Sequence, residues 1–144
     1  MQVVKDLPVD LPAAILVTHH FPSQGTSVLP ILLARAGRLP ATHAEDGGEI
    51  AHGHIYVAPP NYHLMIREDR ITLSAGPKEN GHRPSIDTMF RSAAHAGGRR
   101  VVGVILTGML DDGVAGLLAV KARGGLASCR IRKMRYRQAC RLAR

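Results

Sequence analysis

Hydrophobic residues along this chain occur in short runs that alternate with longer segments of helical periodicity. The short runs are rich in β-branched residues and are bounded by proline, glycine or charged residues, as is typical of buried strands. They lie at residues 13–18, 41–44, 54–58 and 101–106. Residues 63–66 and 70–73 alternate on either side of Glu68-Asp69, which predicts an antiparallel hairpin.

Three segments between these strands have the spacing of apolar residues expected of helices. One starts near Ser23, a plausible N-cap, and ends near Gly37, with Pro30 indicating a late start or a kink. The others cover residues 84–96 and 114–120. Alternating strands and helices predict an α/β fold, doubly wound around a mainly parallel, Rossmann-like sheet with the hairpin inserted.

The run at residues 101–106 is the most apolar strand, and we expect both of its faces to be buried. A loop with two carboxylates, Asp111 and Asp112, separates it from the next helix. One aspartate suffices to cap that helix, which leaves the second unexplained. Parallel strands end at one edge of a sheet, where the histidines after residue 18 can meet an aspartate. Such a pair is two thirds of a nucleophile–base–orienter constellation, although a histidine at a strand end is commonly structural.

The remaining histidines are interpreted as surface or hydrogen-bonded residues. No His-Glu-x-x-His or comparable pair is present, and Cys129 and Cys140 lack metal-ligand neighbours. We therefore expect neither a metal nor another cofactor. These histidines are His43, His52, His54, His63, His82 and His95.

Length and charge limit the possible classes of protein. With 144 residues and 45% hydrophobic residues, the chain has the size of one globular domain. It has no apolar run near the roughly 20 residues of a membrane span, and its start does not resemble a signal peptide, so we expect a cytoplasmic location without membrane insertion. Much of the net charge of +8 comes from residues 126–144, which contain six arginines, one lysine and no acid. A basic nucleic-acid-binding protein is a possible alternative, but no recognition motif supports it, and we expect no nucleic-acid partner.

Five motifs, in order, resemble the catalytic domain of bacterial chemotaxis protein-glutamate methylesterases over about residues 7–125. They are His20-Phe21-Pro22, residues 44–47, residues 53–59, residues 82–87, and residues 103–109 followed by Asp112-Gly113. The resemblance implies a serine hydrolase that demethylates glutamate methyl esters on methyl-accepting chemoreceptors and releases methanol. It implies that His20 is the general base, that Asp112 orients it, and that the backbone N–H of Met109 donates to the oxyanion. Arg83-Pro84-Ser85 matches a loop near the family's site.

The chain departs from this family at its nucleophile. The family's serine sits in a Gly-x-Ser-x-Gly-Gly-like turn between the first strand and first helix, and the 144 residues contain no such turn. We therefore interpret residues 1–125 as a partial catalytic domain with an incomplete fold. A non-catalytic remnant of the family is the alternative. The serines present, none on a predicted strand-to-helix elbow, are Ser23, Ser27, Ser74, Ser85, Ser92 and Ser128.

Residues 126–144 form a basic tail that we expect to be foreign to the fold. The family continues here with a strand and an acidic loop, whereas this chain reads SCRIRKMRY at residues 128–136. One allowed set of codons for these residues, read from the third base of the serine codon, encodes Val-Gln-Asp-Pro-Glu-Asp-Ala-Leu. We predict that sequencing the gene reveals this shifted frame; codons that do not encode the acidic loop would contradict it.

Overall fold

The computed structural model describes residues 2–20, 25–106 and 111–129, in which strands alternate with helices. The helices are α1 Gln2–Lys5, α2 Leu29–Ala36, α3 Ile86–Gly97 and α4 Val114–Ala122, with a 3₁₀ turn at Gly98–Arg100. The strands are β1 Ile15–Val17, β2 Ala41–His43, β3 Ile55–Val57, β4 His63–Arg67, β5 Arg70–Ser74, β6 Val102–Ile105 and β7 Leu126–Cys129. None of the helices described has the length and hydropathy needed to cross a membrane.

Three strands form a parallel sheet in the order β1-β3-β2. Ile55 and Val57 of the middle strand are fully buried, because helices α1 and α2 contribute Val4 and Leu33 to the same apolar cluster. The predicted parallel sheet and its three short strands are therefore confirmed. The late start of the second helix is also confirmed, since α2 begins at Leu29 with proline in its first turn, where a missing N–H costs nothing. The predicted cap, Ser23, lies outside the described residues.

The predicted hairpin is confirmed as β4 and β5, which pair antiparallel from His63↔Ser74 to Arg67↔Arg70. Its two turn residues, Glu68 and Asp69, both adopt positive φ angles, 49° and 59°. A two-residue turn of this kind matches the right-handed twist of the strands that it joins. Leu64, Ile66 and Ile71 direct their side chains into the second apolar cluster, which also includes residues from α3, α4 and β6.

Strands β6 and β7 form a separate parallel pair in the described part of the chain. Residues 126–129, expected to belong to a tail foreign to the fold, instead pair with β6 from Val102↔Leu126 to Ile105↔Cys129. The sheet thus continues past the predicted boundary at residue 125. Residues 130–144, the rest of that tail, lie outside the described residues.

The expectation that the strand at 101–106 is buried on both faces is wrong for one face. Gly103 and Ile105 are buried, whereas Val102 and Val104 on the opposite face are 61% and 45% exposed. Among the described helices, α4 packs on the buried face of β6, where its Leu117 side chain lies against Gly103. Continuous hydrophobicity therefore did not distinguish a strand covered once from one covered twice.

Helices α3 and α4 pack closely where Gly116 faces the first turn of α3. A methyl group at Gly116 would lie 2.6 Å from Phe90 Cβ and 3.1 Å from the Cα of Asp87. Because a backbone atom and a Cβ cannot rotate away, the two helices can approach this closely only with glycine at this position.

We predict that Gly116→Ala lowers the free energy of unfolding by about 1–2 kcal/mol, since overpacking outweighs the better helix propensity of alanine. Urea unfolding measures the change. Gly103→Ala is the matched control, because its methyl group would meet the movable Cδ2 of Leu117, at 2.9 Å, and should cost less. Equal stability of Gly116→Ala and the unmodified chain would contradict the prediction.

Candidate active site

His20 and Asp112, predicted to meet at one edge of the sheet, are in direct contact. His20 follows β1 and Asp112 follows β6, and Nε2 of His20 lies 2.7 Å from Oδ2 of Asp112. The side chain of Asp112 is fully buried, and that of His20 is 19% exposed. The pair thus joins a buried carboxylate to an imidazole that solvent can reach.

Asp112 accepts hydrogen bonds at both carboxylate oxygens. Oδ1 accepts from the backbone N–H of Asp87 at 3.0 Å, the Ser85 hydroxyl at 2.7 Å and the Asn80 amide at 3.1 Å. Oδ2 accepts from the backbone N–H of Ile86 at 2.7 Å as well as from His20. Two of these donors are N–H groups that helix α3 leaves unpaired in its first turn, so Asp112 caps α3.

This finding corrects the simpler interpretation that an aspartate caps the helix directly after it. The N-cap residue of α4 is Gly113, and no cap side chain bonds there. Its free N–H groups are instead satisfied by Asp87, whose Oδ1 accepts from Gly113 at 3.0 Å and Gly116 at 2.6 Å. Asn80 joins the two carboxylates, donating to Asp87 Oδ2 at 2.8 Å and to Asp112. Asp87 in the first turn of α3 therefore caps α4, and Asp112 just before α4 caps α3.

Burial alone would raise the pKa of Asp112, but its hydrogen bonds reverse the effect. The backbone N–H groups of Asp87 and Ile86 lower the pKa most, and the Ser85 hydroxyl and His20 lower it further, so that it lies below the usual 3.8. Asp112 is consequently ionised at neutral pH and can only accept hydrogen bonds. The contacting nitrogen of His20 must then carry a proton, which assigns the lone pair of the neutral ring to Nδ1.

His82 lies on the face of the His20 ring, which corrects its interpretation as an ordinary surface or hydrogen-bonded histidine. The two ring centroids are 3.7 Å apart and the planes differ by 2°. His63, in contrast, is hydrogen-bonded as expected: its Nε2 contacts the Pro77 carbonyl, and its Nδ1 accepts from the backbone N–H of Ser85.

The role of Asn80 was not predicted from the sequence, although the Asn-Gly dipeptide was a signal for it. Asn80 and Gly81 have positive φ angles of 52° and 79°, and Glu79 and His82 exchange backbone hydrogen bonds across them. Asn-Gly is the dipeptide favoured in such turns. The turn directs Asn80 towards the carboxylates and is followed at once by His82. The loop at 83–85, expected to be near the site, does reach it through Ser85.

None of the serines in the described part of the chain hydrogen-bonds to His20. Ser27 and Ser74 accept from nearby backbone N–H groups, Ser92 bonds to Ile66 and Met89, and Ser85 donates to Asp112. Ser23 and Met109, the proposed oxyanion donor, lie outside the described residues, so the role of Met109 stays a prediction. Within residues 2–20, 25–106 and 111–129, no group of three or more His, Cys, Asp or Glu is arranged to hold a metal ion.

An α/β fold with a histidine–carboxylate pair at the carboxyl ends of parallel strands is an arrangement that hydrolase domains use. The model of the CheB methylesterase family matches residues 1–134, and the chain belongs to that family. It is 43% identical over 122 residues to protein-glutamate methylesterase/protein-glutamine glutaminase 1 of Geobacter metallireducens, covering 82% of this chain and 33% of that protein. It is 40% identical over 126 residues to the Escherichia coli K12 protein of that type, covering 85% and 36%.

A solved structure supports the same family. The CheB methylesterase catalytic domain of Thermotoga maritima superposes with a TM-score of 0.80 and is 34% identical, covering 86% of this chain and 68% of that one. The doubly wound, Rossmann-like fold class is thereby confirmed. The chain spans about a third of the length of the curated relatives that it matches.

We predict that Asp112→Asn lowers the free energy of unfolding at pH 7 by about 2–4 kcal/mol. The amide NH₂ is a donor, and it would face N–H and O–H groups that now donate to the carboxylate. A depressed pKa stabilises the fold fully above the unfolded-state value of 3.8, and this contribution is lost as the pH falls below it. The deficit of the variant should therefore shrink on acidification.

Urea unfolding between pH 7 and pH 3 measures this deficit. Asp111→Asn is the matched control. Asp111 is the exposed neighbouring carboxylate, and its substitution should leave the free energy of unfolding unchanged. A deficit of Asp112→Asn that stays constant down to pH 3 would argue against an ionised, hydrogen-bonded carboxylate.

Proposed function

We propose that this domain provides the general base and its orienting carboxylate for hydrolysis of glutamate methyl esters on chemoreceptors, with release of methanol. The observation that carries the proposal is the 2.7 Å contact between His20 and the fully buried Asp112. The family to which the chain belongs supports the reaction, and the names of the two relatives given above state it for those proteins.

The protonation states of the pair suit this chemistry. Asp112 keeps the proton of His20 on Nε2, so Nδ1 can accept a proton from a nucleophilic hydroxyl as it attacks the ester carbonyl. The imidazolium that forms is stabilised by Asp112, and its Nδ1 proton passes to the departing methoxide to give methanol. Water then attacks the acyl group by the same base-assisted step and restores the free carboxylate of the receptor.

The nucleophile and the oxyanion donor are the parts of this mechanism that rest on resemblance. A serine in the family's Gly-x-Ser-x-Gly-Gly-like turn would supply the hydroxyl, and the backbone N–H of Met109 would stabilise the oxyanion. A cytoplasmic location, next to the cytoplasmic part of a receptor, and the absence of a nucleic-acid partner belong to the same proposal. The names of the relatives also include a protein-glutamine glutaminase activity. In that reaction the nucleophile attacks an equivalent side-chain carbonyl, and ammonia leaves instead of methanol.

We predict that His20→Ala lowers kcat for methanol release by roughly 10⁶-fold and Asp112→Asn by roughly 10⁴-fold, as removal of the base and of its orienting group do in comparable sites. The assay uses the entire protein that the gene encodes and methylated receptor as substrate. Asp111→Asn is the control with an unchanged rate.

Two outcomes would overturn the proposal. Full activity of His20→Ala would exclude the histidine as the base. Binding of methylated receptor without methanol release by the unsubstituted protein would indicate the non-catalytic remnant instead.

A further inference from the structure

The contact of His20 with Asp112 fixes one atom of the imidazole ring but not the plane of the ring. With Nε2 held by a single hydrogen bond, the ring can still turn about the line from its attachment at Cβ to Nε2. This turn would move Nδ1 along an arc. The His82 ring stacks parallel to the His20 ring, with the ring centroids 3.7 Å apart and an angle of 2° between the planes. This stacking removes the freedom, because rotation would drive one ring into the other. The two contacts together define where Nδ1 lies.

His82 is itself held by the backbone around it. The Asn80-Gly81 turn sets its position through the two backbone hydrogen bonds between Glu79 and His82, of 2.9 and 3.0 Å. On its other side, Arg83 donates from Nη1 to the carbonyls of Ala75 and Gly76 at 2.9 and 2.8 Å. The stacked face is thus presented by an anchored loop.

The chemical state of His82 fits a role beside a base that becomes charged. Its buried Nε2 has no hydrogen-bond partner among the described residues. Burial lowers its pKa most, His20 and Lys78 lower it further, and only Asp112 opposes them. His82 is therefore neutral at pH 7, and a neutral ring face attracts an imidazolium, whereas a second cation would repel it.

We propose that His82 is a positioning residue whose ring, stacked on His20, holds the His20 imidazole in the plane that places Nε2 on Asp112 and Nδ1 towards the ester. The inference rests on the proposed function of His20. It assigns no contact between His82 and the substrate.

Two substitutions separate stacking from other roles. His82→Ala removes the ring, and His82→Phe keeps a flat face without ring nitrogens. His52→Ala is the matched control, because His52 is an exposed loop histidine distant from these contacts in the sequence. Nitrogen NMR of His20 reports its tautomer and ring mobility without any substrate, and steady-state methanol release reports kcat and KM separately.

We expect His82→Ala to increase the ring mobility that the His20 nitrogen signals report, with Nε2 still protonated against Asp112, and to lower kcat roughly tenfold or more, with KM changed less than about twofold. We expect His82→Phe to restore both the signals and kcat, and His52→Ala to change neither. If His82→Ala does not fold, the His82→Phe variant decides. His20 nitrogen signals in His82→Phe that match those of the unsubstituted protein support stacking, and signals that differ contradict it.

Unchanged His20 signals in a folded His82→Ala variant would overturn the inference, as would signals in His82→Phe that match those of His82→Ala. Failure of the proposed function has a different signature. It is absence of methanol release from the unsubstituted protein, while the NMR result still decides whether His82 positions the ring.

Discussion

Two buried carboxylates that cap each other's helices are the interaction on which this site depends. Asp112 precedes α4 and caps α3, whereas Asp87 lies in the first turn of α3 and caps α4. A buried charge is costly unless it is fully hydrogen-bonded, and a helix N-terminus has N–H groups without partners. Crossing the caps satisfies both requirements and fixes the two helices against each other at a defined distance.

This arrangement ties the position of His20 to the packing of the core. The carboxylate that caps α3 also accepts from His20, so any shift of α3 against α4 moves the partner of the histidine. The glycine at position 116 permits that close packing. The loop before α3 adds Asn80, which joins the carboxylates, and His82, which stacks on the imidazole. One loop and two helix ends therefore provide every described contact that orients His20.

Burial has different effects on the charges of Asp112, His82 and His20. Asp112 is buried yet stays ionised, since donors surround it, and it selects the tautomer of His20. Burial lowers the pKa of His82 most, and His20 and Lys78 lower it further, so that His82 is neutral where Asp112 is charged. His20, between them, keeps enough solvent access to exchange a proton.

The sequence by itself determined the short strands, the hairpin and the helices, because hydrophobic period and turn residues are local. Strand-end position predicted only that a histidine after residue 18 can meet an aspartate, because parallel strands end at one edge of a sheet, and the family resemblance implied that these are His20 and Asp112. The motifs in order also indicated the family. Only the tertiary structure decided that Asp112 caps α3 instead of α4, that His82 stacks on His20, and that Val102 and Val104 of β6 are exposed. Those facts depend on which elements become neighbours in space, and a residue's own segment does not encode what lies across from it.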